Sequence, residues 1–191
     1  MTNTPFTQWK LTGGEASFSS PSECSKRASK FERTIHRRNL IEYAAGVFIA
    51  ALMGASGVGA FIKGEALIGA SLLITVLGVF VVMWGLHKRG SNLQRHPEDP
   101  CLVHLRRQYE RQFEALRAVP LWYIGPLVPG VTLLYLAVTA RVAETIGWID
   151  ALGGIASSAG ITFGIFGLVA LANWFAARSL KQKIDEIDAL A

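Results

Sequence analysis

The chain has 191 residues, 51% of them apolar, and carries a formal net charge of +5. Its length permits one compact domain, and its apolar share alone does not separate soluble from membrane classes. The distribution of those residues does, because it excludes an ordinary soluble core: four runs are each long enough to cross a hydrocarbon layer, which needs about 20 apolar residues. They are Tyr43–Ile62, Ala66–Leu86, Pro120–Ala140 and Ile155–Ala176, and none contains Asp, Glu, Lys, Arg or His.

In chain order, residues 1–19 are rich in Thr, Ser and Gly without periodicity and read as a flexible segment. Ser20, Pro21 and Glu23 then match a helix N-terminus: a cap, a proline in the first turn and the acid of a capping box. Ala28, Phe31 and Ile35 recur at helical spacing among basic residues, so 20–42 is expected as a basic amphipathic helix running unbroken into span 1 (43–62). No apolar leader precedes that span, so it is expected to remain as an anchor.

Lys63, Gly64 and Glu65 turn the chain into span 2 (66–86), an antiparallel neighbour. The linker 87–119 contains the breaker His96–Pro100, with Asp99 placed to cap the helix that follows. Leu102, Leu105, Tyr109, Phe113 and Leu116 form one stripe there, opposed by Arg106, Arg107 and Arg111, with Glu110 one turn from Arg106. Such a helix can lie on the bilayer, pack on the N-terminal helix or bind a third party. Span 3 (120–140), the outer loop 141–154 with a short helix suggested by Val142, Ile146 and Ile149, span 4 (155–176) and the tail 177–191 complete the chain. The fold class is all-α, a four-transmembrane-helix bundle with cytoplasmic amphipathic juxtamembrane helices.

Orientation follows from the basic residues. All but Lys63 and Arg141 of the 19 lie in the N-terminal arm, the linker or the tail, which places both termini in the cytoplasm. Trp84, Trp122 and Trp174 near that face and Trp148 at the other match interfacial aromatics. A pI near 9.5 would suggest nucleic acid in a soluble chain; here insertion topology and anionic headgroups account for it, and no nucleic acid is expected. Cys24 and Cys101 both fall on the reducing side, so no disulfide is expected between them.

Several features of the sequence bear on chemistry. Glu42 stands one residue before span 1; deep in a bilayer an acid marks an ion route, but here an i, i+4 boundary pair with Arg38 explains it. Gly125, Pro126, Pro129 and Gly130 break span 3, a device transporters use at binding sites, although no ionisable group shares their depth. Gly46, Ala50 and Gly54 in span 1, and Gly160 and Gly164 in span 4, are small residues four apart that allow close helix packing, within the bundle or against a second copy. His96, Cys101 and His104 are three soft ligands interrupted by a proline, and no metal site is expected. The glycine-rich stretch Gly54–Gly59 follows no strand and lacks a phosphate-loop lysine. With no G-x-S-x-G, H-E-x-x-H or paired carboxylates, neither enzyme activity nor a cofactor is expected.

The stretch Lys26–Gly46, with the basic Arg37–Tyr43 segment and the upstream Trp9, resembles small proteobacterial inner-membrane proteins that are often encoded beside extracytoplasmic-function sigma factors. The resemblance covers about the first quarter of the chain. It implies a bacterial inner-membrane location and a regulatory role, and transfers no active site; the His-x3-Cys-x2-Cys zinc pattern of many anti-sigma domains is absent. The reading is therefore a non-enzymatic regulatory, scaffold or accessory subunit. Its docking surface for anionic lipid, a protein partner or a second copy is Lys26, Arg27, Lys30, Arg33, Arg37, Arg38, Arg106, Arg107 and Arg111. The alternative is a small transporter or channel for a neutral solute, built on the break in span 3.

Overall fold

The computed structural model describes residues 21–93 and 100–189, with side chains from residue 24 onward. The expectations for residues 1–19, for the Ser20 and Glu23 capping box, for the Asp99 cap and for His96 fall outside these. The described residues form helices and no strand: α1 (Pro21–Ile62), α2 (Ala66–Arg89), α3 (Cys101–Arg117), a π-helical turn α4 (Pro120–Ile124), α5 (Val128–Ile146) and α6 (Trp148–Asp188). Two reversals rest on glycine, Gly64 at φ 79° and Gly147 at φ 87°, conformations an L side chain adopts only with strain. Because one residue suffices at Gly147, α5 and α6 run almost to each other, and the outer segment holds no separate short helix.

Three helices, α1, α2 and α6, are long and apolar enough to cross a membrane. At 42 and 41 residues, α1 and α6 are each about 60 Å long, twice the thickness of a hydrocarbon layer. Their polar halves project together and, with α3, make a head. The head's core is Cys24, Ala28, Leu105, Tyr109, Leu180, Ile184 and Ile187, with Phe31, Leu102, Phe113 and Leu116 packed against it. The apolar stripe of α3 is thus spent on α1 and α6 within the chain.

Cys24 and Cys101 form a disulfide, with Cα atoms 6.2 Å apart. This corrects the expectation of two reduced thiols. That expectation weighed compartment alone; the packing of Ala28 and Leu105 in one core brings the first turns of α1 and α3 side by side regardless.

A polar seam lies beside this core. His104, Gln108 and Gln112, one turn apart on α3, are all buried. His104 contacts Glu32 Oε1 at 3.1 Å; Gln108 donates to Asn92 Oδ1 and accepts from the Leu93 amide; Gln112 and Asn39 both donate to the Gly90 carbonyl. Buried amides are stabilising only when satisfied, and these spend their capacity fixing the chain just after α2.

In the apolar half the helices stand in a row. α1 packs on α2, α2 on α5, and α5 on α6, without α6 closing back on α1. The Gly125 amide donates to the Pro120 carbonyl, five residues back, so the break is a π-turn followed by a bend at residues 125–127. Pro129 sits in the first turn of α5, where a missing N–H costs nothing. It therefore starts a helix where the sequence reading had it interrupting one. The bend meets α2 without side chains between: a Cβ on Gly78 would collide with the Pro126 carbonyl, and one on Gly130 with Thr75.

Candidate functional site

The nine basic residues expected as one surface separate into three groups. Lys26, Lys30, Arg33 and Arg37 recur at intervals of four, three and four residues, so one face of α1 carries them all. All four are exposed, and among the described residues none of their side chains has an ion-pair or hydrogen-bond partner. The opposite face of the same turns is Cys24, Ala28, Phe31 and Ile35, which are packed inward. The core fixes the rotation of α1, and the rotation fixes where the charges point.

A second group is committed inside the head. Arg106 holds Glu110 at 2.6 Å and grips Asp188 at the end of α6 through Nε and Nη2. Hydrogen bonding to Arg106 is the main reason the Asp188 carboxyl is held below its ordinary range. Arg111 donates to the Lys88 carbonyl and the Ser91 hydroxyl. Arg38 donates to Asn39 and to Gln112 of α3, and its Nε lies 3.8 Å from Glu42.

The third group, Arg27 and Arg107, is exposed on other faces. Arg27 lines a hollow of about 350 Å³ between α1 and α6 with Lys30, Tyr109, Lys183 and Glu186. A second hollow, of about 240 Å³, continues it toward the membrane between Ile35, Thr34, Leu116, Ala176 and Ser179. A groove floored by α3 therefore runs down the head between its two long helices.

At the base of that groove is a cavity of about 90 Å³ where every element except α5 meets: Arg38 and Glu42 of α1, Leu86 of α2, Leu116 of α3, Trp122 and Tyr123 of α4, and Val169 and Asn173 of α6 are among its walls. The expected boundary pair belongs to it. Burial pushes the Glu42 carboxyl above its usual range, and the nearby Arg38 charge offsets part of that. Trp122 is held by donation to the Ala115 carbonyl.

Of the small residues, Gly46 faces Met83 and Val79 of α2, whereas Gly54, Gly160 and Gly164 have no neighbour within 4 Å of an added Cβ. Ala50 is half-buried on α1. Cys101 is in the disulfide, and His104 bonds to Glu32; among the described residues no group of three or more His, Cys, Asp or Glu side chains is placed to hold a metal. Comparison of the chain with protein-family models, with curated proteins and with solved structures finds no match.

Proposed function

We propose that this chain is a non-enzymatic, multi-pass membrane protein whose head docks an acidic partner protein, serving it as a regulatory, scaffold or accessory subunit. On this reading α4 and α5 together make a fourth span, and the head and both termini lie in the cytoplasm of a bacterial cell. The near-complete segregation of basic residues to the head end supports that orientation.

The observation that carries the reading is the stripe Lys26, Lys30, Arg33 and Arg37, unpartnered among the described residues. From Lys26 to Arg37 it climbs about 16 Å along a helix continuous with a span. Headgroup attraction fades within a Debye length, about 8 Å at physiological salt, so a flat anionic bilayer accounts for Arg37 and not for the upper end. An acidic protein surface lying along the head can meet all four. The groove beside it, with Lys183 on its far wall, adds small and apolar side chains for such a partner to fill. The break at residues 125–130 lines none of these hollows and packs on α2, so nothing here favours a solute path. The test is co-purification of a companion with wild-type protein and with Lys30→Glu/Arg33→Glu: loss in the variant supports the reading, and unchanged recovery counts against it.

A further inference from the structure

The cavity at the base of the groove has chemistry that the docking stripe does not use. Arg38 lines it, and its Nη2 is occupied by Asn39 and Gln112, while its Nε is sealed from solvent and has no hydrogen-bond partner among the described residues. The guanidinium is thus held in place at the cavity wall, with its charge only partly met within the chain. Glu42, 3.8 Å away, is close enough for attraction but beyond a hydrogen bond. Asn173, another of the cavity's walls, donates to the Val169 carbonyl.

The depth of the site is equally defined. Glu42 precedes the apolar run of α1 by one residue, and Asn173 lies within the last turn of the apolar run of α6. Trp122 and Tyr123 stand where interfacial aromatics belong. Below the cavity α1 and α6 do not close on each other, and none of the most apolar stretch of α6 is buried within the chain. A molecule in the cavity can extend apolar chains downward between these helices without leaving the bilayer.

We propose that this cavity seats the headgroup of an aminophospholipid, phosphatidylethanolamine being the simplest, with its phosphate on Arg38 and its ammonium on Glu42. A simple anion meets attraction from Arg38 and repulsion from Glu42 together, and a simple cation meets the reverse. A zwitterion satisfies both, and each contact is a charge-assisted hydrogen bond. Choline keeps its charge but has no N–H to donate to Glu42; glycerol can donate an O–H but carries no positive charge to make that bond charge-assisted. The cavity takes the charged groups, and the glycerol and acyl chains lie in the open cleft.

The experiment uses the full chain in nanodiscs containing equal amounts of phosphatidylethanolamine, phosphatidylcholine and phosphatidylglycerol, followed by native mass spectrometry after release into mild detergent. Wild type should retain one phosphatidylethanolamine with a preference of about tenfold over either competitor. Glu42→Gln should bring phosphatidylethanolamine and phosphatidylcholine to parity, and Arg38→Gln should abolish retention. Val169→Phe fills the cavity with both charges in place and should also release the lipid, so the test survives if Arg38→Gln does not fold. Equal retention of phosphatidylglycerol by wild type, or unaltered retention in Val169→Phe, would overturn the assignment. Displacement by an equal concentration of soluble phosphoethanolamine would do so too, since it would remove the acyl chains from the account.

Discussion

Cys24 and Cys101, 77 residues apart in the chain, are joined by a disulfide that ties the first turn of α1 to the first turn of α3. In the chain-entropy account, closing a loop of that length removes unfolded-state entropy equivalent to about 4–5 kcal/mol. Cys24→Ser should lower the unfolding midpoint of oxidised protein by several degrees and change little in dithiothreitol. The compartment makes a second, sharper expectation. The bond and the proposed cytoplasmic head make opposite demands, since thiols are kept reduced there; rapid alkylation of intact cells decides between them, and free thiols on both cysteines would support the orientation. A disulfide already present in rapidly quenched cells would overturn the proposed orientation.

The contact between α2 and the α4–α5 bend depends on two missing side chains. Gly78→Ala drives a methyl into the Pro126 carbonyl, and Gly130→Ala does the same to Thr75. Overpacking of this kind costs typically 1–3 kcal/mol, and each variant should unfold at a lower temperature in detergent. Gly54→Ala and Gly164→Ala, with open space around them, should leave that temperature within error. Should all four behave alike, the α2–α5 contact is not close-packed at Gly78 and Gly130.

Glu42 makes stability depend on pH. Burial raises its carboxyl above the ordinary 4.5 and Arg38 only partly opposes this, so the folded protein keeps the proton to higher pH than the unfolded chain. Its contribution is full below the unfolded value and is lost as pH rises through the folded one. In lipid-free detergent, Glu42→Gln should therefore gain stability relative to wild type between pH 4 and pH 8. Melting curves that stay parallel over that range would show that the carboxyl is not buried enough to matter.

Asp188 has the opposite sign. Its carboxyl is held low by Arg106, so the clasp between α3 and the end of α6 contributes above the ordinary carboxylate range and is lost as pH falls through the lowered value. Protection factors of the amides in the last two turns of α6, taken against intrinsic exchange at each pH, should fall in acid, and Asp188→Asn should show the lower protection already at neutral pH. The change should be small, since exposed pairs contribute little.

The elements of this fold were legible where one periodicity dominated. The length of α1, from Pro21 to Ile62, could be read because nothing between those residues breaks a helix. The apolar stripe of α3 was legible too, but its destination was not, because Leu105 and Tyr109 look the same whether they meet lipid or Leu180. The burial of His104, Gln108 and Gln112 escaped notice for a related reason: an i, i+4, i+8 polar row beside arginines reads as a solvated face until Asn39 and Asn92 are brought opposite. Counting arginines did not reveal which of them are engaged within the chain: Arg38, Arg106 and Arg111 find partners far away in sequence. The face shared by Lys26, Lys30, Arg33 and Arg37 could have been isolated from spacing alone, by asking which cations lie opposite Ala28 and Ile35.

The most direct measurement is a pull-down from native membranes, at two salt concentrations, of wild type and of Lys26→Glu/Lys30→Glu/Arg33→Glu/Arg37→Glu, with a Gly164→Ala control. The account predicts a stoichiometric acidic companion with wild type and the control, weakened at high salt and absent with the charge-reversed stripe, while the variant keeps its Cys24–Cys101 pairing on extraction. The same companion on both proteins, or a wild type that comes out alone, would contradict it.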